Sequence, residues 1–264
     1  LFSGKMMNLQ PYLDFTTDLA YRAGKITLGY FNVGIRPDYK ADDTPVTAAD
    51  RASEEFIRGE IERKYPGHAI LGEEFGENTS SAGGKESFRW IIDPIDGTKS
   101  FLRGVPLYAV LIGLEIDGVI RAGAAYYPGT DEMLCAADGL GAWWNGRRTH
   151  VSEIGSLERA YLSYTNERNM LRQGRQEAWQ RLNTAAYASR GWSDAYGYLC
   201  VATGRAEAMF DPIMAIWDCG PFPVILKEAG GYFGSWDGRE GHTFNEALAC
   251  NAALKDEILA LIRG

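Results

Sequence analysis

The chain is poor in histidine and cysteine, and neither residue is arranged for chemistry. Of 264 residues, three are histidine and four are cysteine. Cys135, Cys200, Cys219 and Cys250 form no CxxC pair, and the histidines do not cluster with them, which argues against a zinc site. The thiols read instead as buried groups of a reducing compartment. Net positive charge is also missing: 35 acidic residues outnumber 27 basic ones, the net charge is −8, and an acidic chain is poorly suited to unaided binding of nucleic acid or a membrane surface. No apolar run is long enough to span a bilayer. The opening Leu1-Phe2-Ser3-Gly4-Lys5 lacks the apolar stretch of a signal peptide, so cytoplasmic residence is the expectation. Gly139-Leu140-Gly141 is not followed by the lysine and hydroxyl residue of a P-loop. There is no internal repeat. What remains is an ordinary globular composition, 45% hydrophobic and 23% charged, enough for one large domain or two modest ones.

The most informative stretch runs from Trp90 to Pro106. Trp90-Ile91-Ile92 reads as a buried strand. Asp93, Pro94 and Asp96 follow, and Pro94, with no N–H to donate, is expected to end the strand. Two acids three residues apart at a strand end crowd like charges unless a cation offsets them. Hard oxygen ligands completed by water suit Mg²⁺. Behind them, the N–H groups of Gly97 and Thr98 can cradle an anion such as phosphate. The plainer alternative for an isolated DPxD is a solvated turn; the longer run Asp93-Pro94-Ile95-Asp96-Gly97-Thr98-Lys99-Ser100-Phe101 favours the metal reading.

That run resembles the core motif of the inositol monophosphatase superfamily. Gly72-Glu73-Glu74 upstream, and Trp217-Asp218 followed by Glu228-Ala229-Gly230-Gly231 downstream, are similar to the family's two flanking motifs and stand in family order. The resemblance implies a layered αβαβα sandwich, of α+β and α/β character, acting as a phosphate monoester hydrolase with two or three Mg²⁺ ions. By the same resemblance, Glu73, Asp93 and the carbonyl of Ile95 hold one ion, and Asp93, Asp96 and Asp218 hold a second. Thr98 orients the attacking water and Glu73 accepts its proton. Asp50 hydrogen-bonds Thr98, and Glu74 and Lys40 support the site. A homodimer and inhibition by Li⁺ are implied too.

For the substrate, the extension Lys99 to Pro106 is similar to the histidinol-phosphate phosphatase branch of the superfamily. So are Asp194-Ala195-Tyr196-Gly197-Tyr198, Gly204-Arg205-Ala206-Glu207 and Asp211-Pro212. In inositol phosphatases the position matching Asp194 is small and neutral, and the acid matching Asp211 binds inositol hydroxyls. A carboxylate at Asp194 would pair with the positive charge of histidinol, with Asp96 and Asp211 completing the substrate contacts. Read without the resemblance, Asp194 caps a helix starting at Ala195, Asp211 is a turn acid, Asp50 complements a helix dipole, and Lys40 is solvated. Two departures concern substrate choice: Asp211 stands where relatives often carry glutamate, and Cys219-Gly220-Pro221 replaces the usual small residues. The expected partner is a small phosphorylated metabolite. The alternatives are an inositol-1-phosphatase, a 3′-nucleotide phosphatase, or a non-catalytic metal-binding regulatory protein.

Along the chain, the apolar spacing predicts helices over Leu9 to Phe31 and Thr47 to Tyr65. Asn78 to Lys85 reads as a loop, with residues 76–86 able to act as a lid. A meander follows over Leu107 to Ile116, Val119 to Tyr127 and Glu132 to Ala137, turned at Asp117-Gly118, with a further turn at Asn145-Gly146. Beyond Val151 strand-like and helix-like segments alternate. These include helices over Arg172 to Leu182, Ala195 to Thr203 and Trp217 to Glu228. The division expected is 1–152, carrying an antiparallel sheet and the main acidic motifs, and 153–264, an α/β half contributing Asp218 and the substrate pocket.

Overall fold

A computed structural model describes residues 7–34, 37–39, 45–78, 87–192 and 194–264; Lys40 and most of the expected lid, 79–86, lie outside them. Helix α1 (Gln10–Leu28) buries Leu13, Phe15, Leu19, Ala20 and Ala23, one stripe at helical spacing. A short hairpin, β1 (Asp38–Tyr39) and β2 (Pro45–Val46), leads to α2 (Ala48–Lys64). Thr47 caps α2: its hydroxyl accepts the Ala49 N–H, while Asp50 accepts the N–H of Thr47. Both helices cover one face of a sheet built from β3 (Ala69–Gly72), β4 (Gly76–Asn78), β5 (Phe88–Asp96), β6 (Ala109–Ile116), β7 (Val119–Tyr127), β8 (Glu132–Ala137), β9 (Gly141–Trp144) and β10 (Arg147–Arg148). Helix α3 (Thr98–Leu102) interrupts the run after β5. Among the described residues the strand order is β10-β9-β8-β7-β6-β5-β3-β4, antiparallel except where β3 runs parallel to β5.

The second sheet, β12-β11-β13-β15-β14, comprises β11 (Tyr161–Tyr164), β12 (Ala188–Arg190), β13 (Ala208–Asp211), β14 (Gly231–Gly234) and β15 (Ala247–Asn251). β12, β11 and β13 are parallel, whereas β15 and β14 join antiparallel. Between the two sheets lie α6 (Asp194–Ala202), the short α7 (Ile216–Cys219) and α8 (Phe222–Glu228). Helices α4 (Glu167–Arg172), α5 (Gln176–Ala185) and α9 (Lys255–Arg263) belong to the outer face, where Trp179, Ile258 and Leu259 pack on Leu162, Phe210 and Leu248. The layers are therefore αβαβα.

Three expectations about elements change. The helix expected over Arg172 to Leu182 begins only at Gln176, because α4 ends at Arg172 and Gly174 takes a positive φ of 67° between it and α5. The one expected over Trp217 to Glu228 breaks at Gly220-Pro221. Strand β5 continues through Pro94. Its pairing with β3 ends at Ile92, and its register with β6 shifts between Asp93 and Asp96, so the missing N–H of Pro94 removes no ladder bond.

The far end of β5 is pinned. The buried Trp90 indole donates to His68 Nδ1 at 3.1 Å, and His68 stacks on Phe88 with ring centres 4.4 Å apart. His68→Phe keeps the stack and removes the acceptor. It is expected to lower stability by about 1–3 kcal/mol, the cost of an unpaired buried donor, read as a lower thermal midpoint with turnover unchanged.

Candidate active site

Residues three apart on a regular strand face opposite ways. The irregularity between Asp93 and Asp96 re-aims one of them, so both carboxylates reach the same cluster. The third member arrives from the other half of the chain. At the corner between α7 and α8 the backbone presses on the first sheet: a Cβ on Gly113 would meet Gly220 O at 2.3 Å, and one on Gly123 would meet Pro221 Cα at 2.7 Å. Only glycine permits that approach. Gly113 pairs with Ile91, so Asp218, two residues before the corner, meets Asp93, two residues after Ile91. The Cys219-Gly220-Pro221 departure thus forms the contact that seats Asp218. Carboxylate oxygens of Asp93, Asp96 and Asp218 all lie within 4.8 Å of one another.

Each carboxylate is also fixed by a backbone N–H. Asp93 Oδ1 accepts from Ile95 at 3.0 Å, Asp218 Oδ2 from Ala215 at 2.8 Å, and Asp96 Oδ2 from Ala195 at 2.5 Å. Asp93 is buried, while Asp96 and Asp218 are half-buried. Burial first, and then the charges of Glu73, Asp96, Asp218 and Asp50, push Asp93 well above the usual carboxylate range. Asp96 is raised by burial and then by Asp194 and Asp218. Asp218 is pushed up to about 7, mainly by burial, with Glu73 and Asp194 adding to it. Glu73 stands in the turn between β3 and β4 with its N–H on Ile92 O, outside the set of three but near enough for its charge to add to the shifts of Asp93, Asp218 and Asp50.

The donor set fits a hard divalent cation. It is all oxygen, without the imidazole or thiolate that zinc favours. The mutual repulsion that raises these pKa values is what a cation between the carboxylates would remove.

The supporting residues are arranged differently from expectation in one respect. Asp50 Oδ2 accepts the Thr47 hydroxyl at 2.6 Å, and Asp50 Oδ1 has no partner among the described residues. The Thr98 hydroxyl donates to Ile95 O at 3.1 Å. The expected Asp50–Thr98 hydrogen bond is therefore absent: the Thr98 proton is on Ile95 O, and the α2 cap holds one Asp50 oxygen while the other stays without a partner among the described residues. Asp50 still belongs to the cluster electrostatically. It is buried and pushed up to about 6, by burial first, with Glu73 contributing. Gly97 sits at φ 84°, directly before Thr98 at the start of α3.

Asp194 and Asp211 face the same acids. Asp194 has φ 52°, and its Oδ2 would lie 3.3 Å from a Cβ on Gly97. It opens α6, where the Ala195 N–H donates to Asp96 Oδ2 and the Ala195 carbonyl in turn accepts the Tyr127 hydroxyl at 2.9 Å. Asp211 is buried and raised by burial, with Asp194 and Asp218 adding, while its oxygens accept Thr165 Oγ1 at 2.5 Å and the Ile213 N–H at 3.3 Å.

Sequence reading missed Thr165 and Glu54. Thr165 follows a strand end and carries no signal of its own. Glu54 did: it lies one helical turn beyond Asp50, on the same face. Its carboxylate accepts the Glu74 N–H at 2.8 Å.

Comparison with known proteins follows the same lines. A model described as the inositol monophosphatase family matches residues 8–264. A histidinol-phosphatase of Chlorobaculum parvum is 41% identical over 256 residues, covering 96% of this chain and 97% of the relative. One from Mycobacterium tuberculosis is 39% identical, covering 91% and 94%. Among solved structures, an inositol monophosphatase from Anabaena superposes with a TM-score of 0.83 at 31% identity, covering 97% of each chain.

Proposed function

The chain belongs to the inositol monophosphatase family and is a phosphomonoesterase, and from that premise we propose that it hydrolyses histidinol phosphate to histidinol and phosphate with Mg²⁺. The observation that carries the substrate choice is Asp194. It adds a carboxylate beside the acid cluster, close to Gly97, where a cationic leaving group would be attracted and a neutral polyol would not.

In this reading Glu73, Asp93 and Ile95 O would hold one ion, and Asp93, Asp96 and Asp218 would hold another. When bound, the ions offset the charge of the phosphate and lower the pKa of water at the site. The chain's own groups do the rest. The Thr98 hydroxyl, with its proton on Ile95 O, has lone pairs to accept a hydrogen bond from the attacking water. Glu73 takes the proton that water loses. The water oxygen bonds to phosphorus as the ester P–O bond breaks, the leaving oxygen takes a proton from solvent water to become the alcohol, and Glu73 returns its proton to solvent. The N–H groups of Gly97 and Thr98 orient the phosphate. Asp194 pairs with the histidinol ammonium group, and Asp211, held by Thr165, binds the remainder of the leaving group together with Asp96. The carboxylates near the reacting phosphate are shielded from it only when cations are present, which supports Mg²⁺ dependence.

The test is parallel turnover of histidinol phosphate, inositol 1-phosphate and 3′-phosphoadenosine 5′-phosphate, with Mg²⁺ and with chelator. Histidinol phosphate is expected to have the highest kcat/KM; if it ranks last, the substrate reading fails. Asp194→Ala is expected to raise KM for histidinol phosphate by about 10-fold or more, the worth of a charged hydrogen bond. The KM for an uncharged phosphate ester should stay nearly constant, and equal effects on both would contradict the pairing.

A further inference from the structure

We infer that Glu54 and Arg58 on α2 form a positioning pair that sets Glu73 for ion binding; the inference rests on the proposed role of Glu73 as an ion ligand. Glu73 sits in the three-residue turn, 73–75, that closes the β3–β4 hairpin, where Gly72 pairs with Gly76. Such a turn at a sheet edge has few partners of its own. Here it is held from behind by a side chain that solvent does not reach. Glu54 is 0% exposed. Its carboxylate accepts the Glu74 N–H at 2.8 Å and the Phe75 N–H at 3.3 Å. Arg58, one turn further along α2, donates Nε to Glu54 Oε1 at 2.8 Å. Its Nη2 donates to Gly76 O, the residue that closes the turn.

One carboxylate therefore ties down two consecutive amides directly after Glu73, and one guanidinium ties the carboxylate to the end of the same turn. A buried charge without such a partner would be costly, so the two residues act together. Gly72 completes the arrangement. A Cβ there would lie 2.0 Å from Glu54 Oε1, so a side chain on the residue before Glu73 would expel the carboxylate. The same helix face carries Asp50 one turn earlier, so α2 is a rigid ruler between the cap that holds Asp50 and the turn that presents Glu73. Groups behind ion ligands that orient them typically contribute 10- to 100-fold to affinity.

The inference makes a selective claim. Asp93, Asp96 and Asp218 are held by Ile95, Ala195 and Ala215, none of which touches Glu54. Loosening the turn should weaken the ion that uses Glu73 and spare the other. The experiment is Mn²⁺ titration of the full chain by paramagnetic resonance and calorimetry, with the Mg²⁺ dependence of turnover alongside. It compares wild type, Glu54→Gln, Gly72→Ala and the milder Arg58→Lys. For Glu54→Gln and Gly72→Ala, one class of Mn²⁺ site is expected to weaken about 10- to 100-fold while the other shifts less than about threefold. The Mg²⁺ concentration for half-maximal turnover should rise in parallel, with kcat at saturating Mg²⁺ and substrate KM little changed. Arg58→Lys keeps the charge but loses the fork; it should show the same pattern, attenuated, and it keeps the test decisive if the other variants fail to fold. Folded variants with lowered thermal midpoints but wild-type Mn²⁺ titrations would overturn the inference. A wild-type chain that binds no Mn²⁺ would instead overturn the ion reading beneath it, so the two failures are distinguishable.

Discussion

Asp93→Asn is expected to reduce turnover by ~10³-fold or more, because one substitution removes a ligand from both proposed ions. The change is mild for the fold. Asparagine keeps Oδ1 as acceptor for the Ile95 N–H and matches aspartate in size. It removes one of the buried negative charges that repel each other at the cluster. The metal-free variant should therefore melt at a higher temperature than the metal-free wild type, while Mg²⁺ should stabilise it less. Steady-state kinetics and melting curves with and without chelator check both halves. Turnover within about tenfold of wild type would contradict the bridging role of Asp93.

The metal-free chain should lose stability as pH rises from about 4 to 8, the reverse of ordinary acid denaturation. Asp50 and Asp218 are raised from 3.8 to about 6 and about 7. Between the unfolded and folded values, the folded chain holds protons that the unfolded chain has released. Their contribution is thus complete below about 4 and is lost as pH climbs through the folded values. One pKa unit corresponds to about 1.4 kcal/mol, and 1 kcal/mol moves the midpoint by roughly 2–4 °C in a chain of this length. The combined fall in Tm should be roughly 15–30 °C. Mg²⁺, which favours the ionised carboxylates, should flatten or invert the slope. A chelated protein whose Tm rises steadily over this range would show that these acids are not crowded in the fold.

How far the residues foretold the fold depended on whether a local signal was at work. The strands Val119–Tyr127 and Glu132–Ala137 are legible residue for residue, because turn residues such as Asp117-Gly118, at φ 51° and 79°, mark where the meander reverses. The Thr47 cap placed Asp50 in the first turn of α2. Where local signals conflicted, reading was less accurate. Pro94 announced a strand end, yet the strand passes through it where neither neighbour needs its N–H. The helix expected over Trp217 to Glu228 is interrupted at Gly220-Pro221, a corner pressed onto Gly113 and Gly123.

The order and identity of the acidic motifs, the shortage of soft metal ligands and the excess of acidic over basic residues were decided by the chain alone. They narrow the chemistry to oxygen-ligated cations and phosphate. Only the folded molecule could decide which acids meet. Asp93 and Asp218 come from different sheets' surroundings, more than a hundred residues apart, and are joined by backbone-to-backbone contact at two glycines. It also decided that Asp50 spends an oxygen on its own helix cap rather than on Thr98. Such choices depend on competition among neighbours for the same lone pairs and the same space, and that competition exists only once the layers have packed.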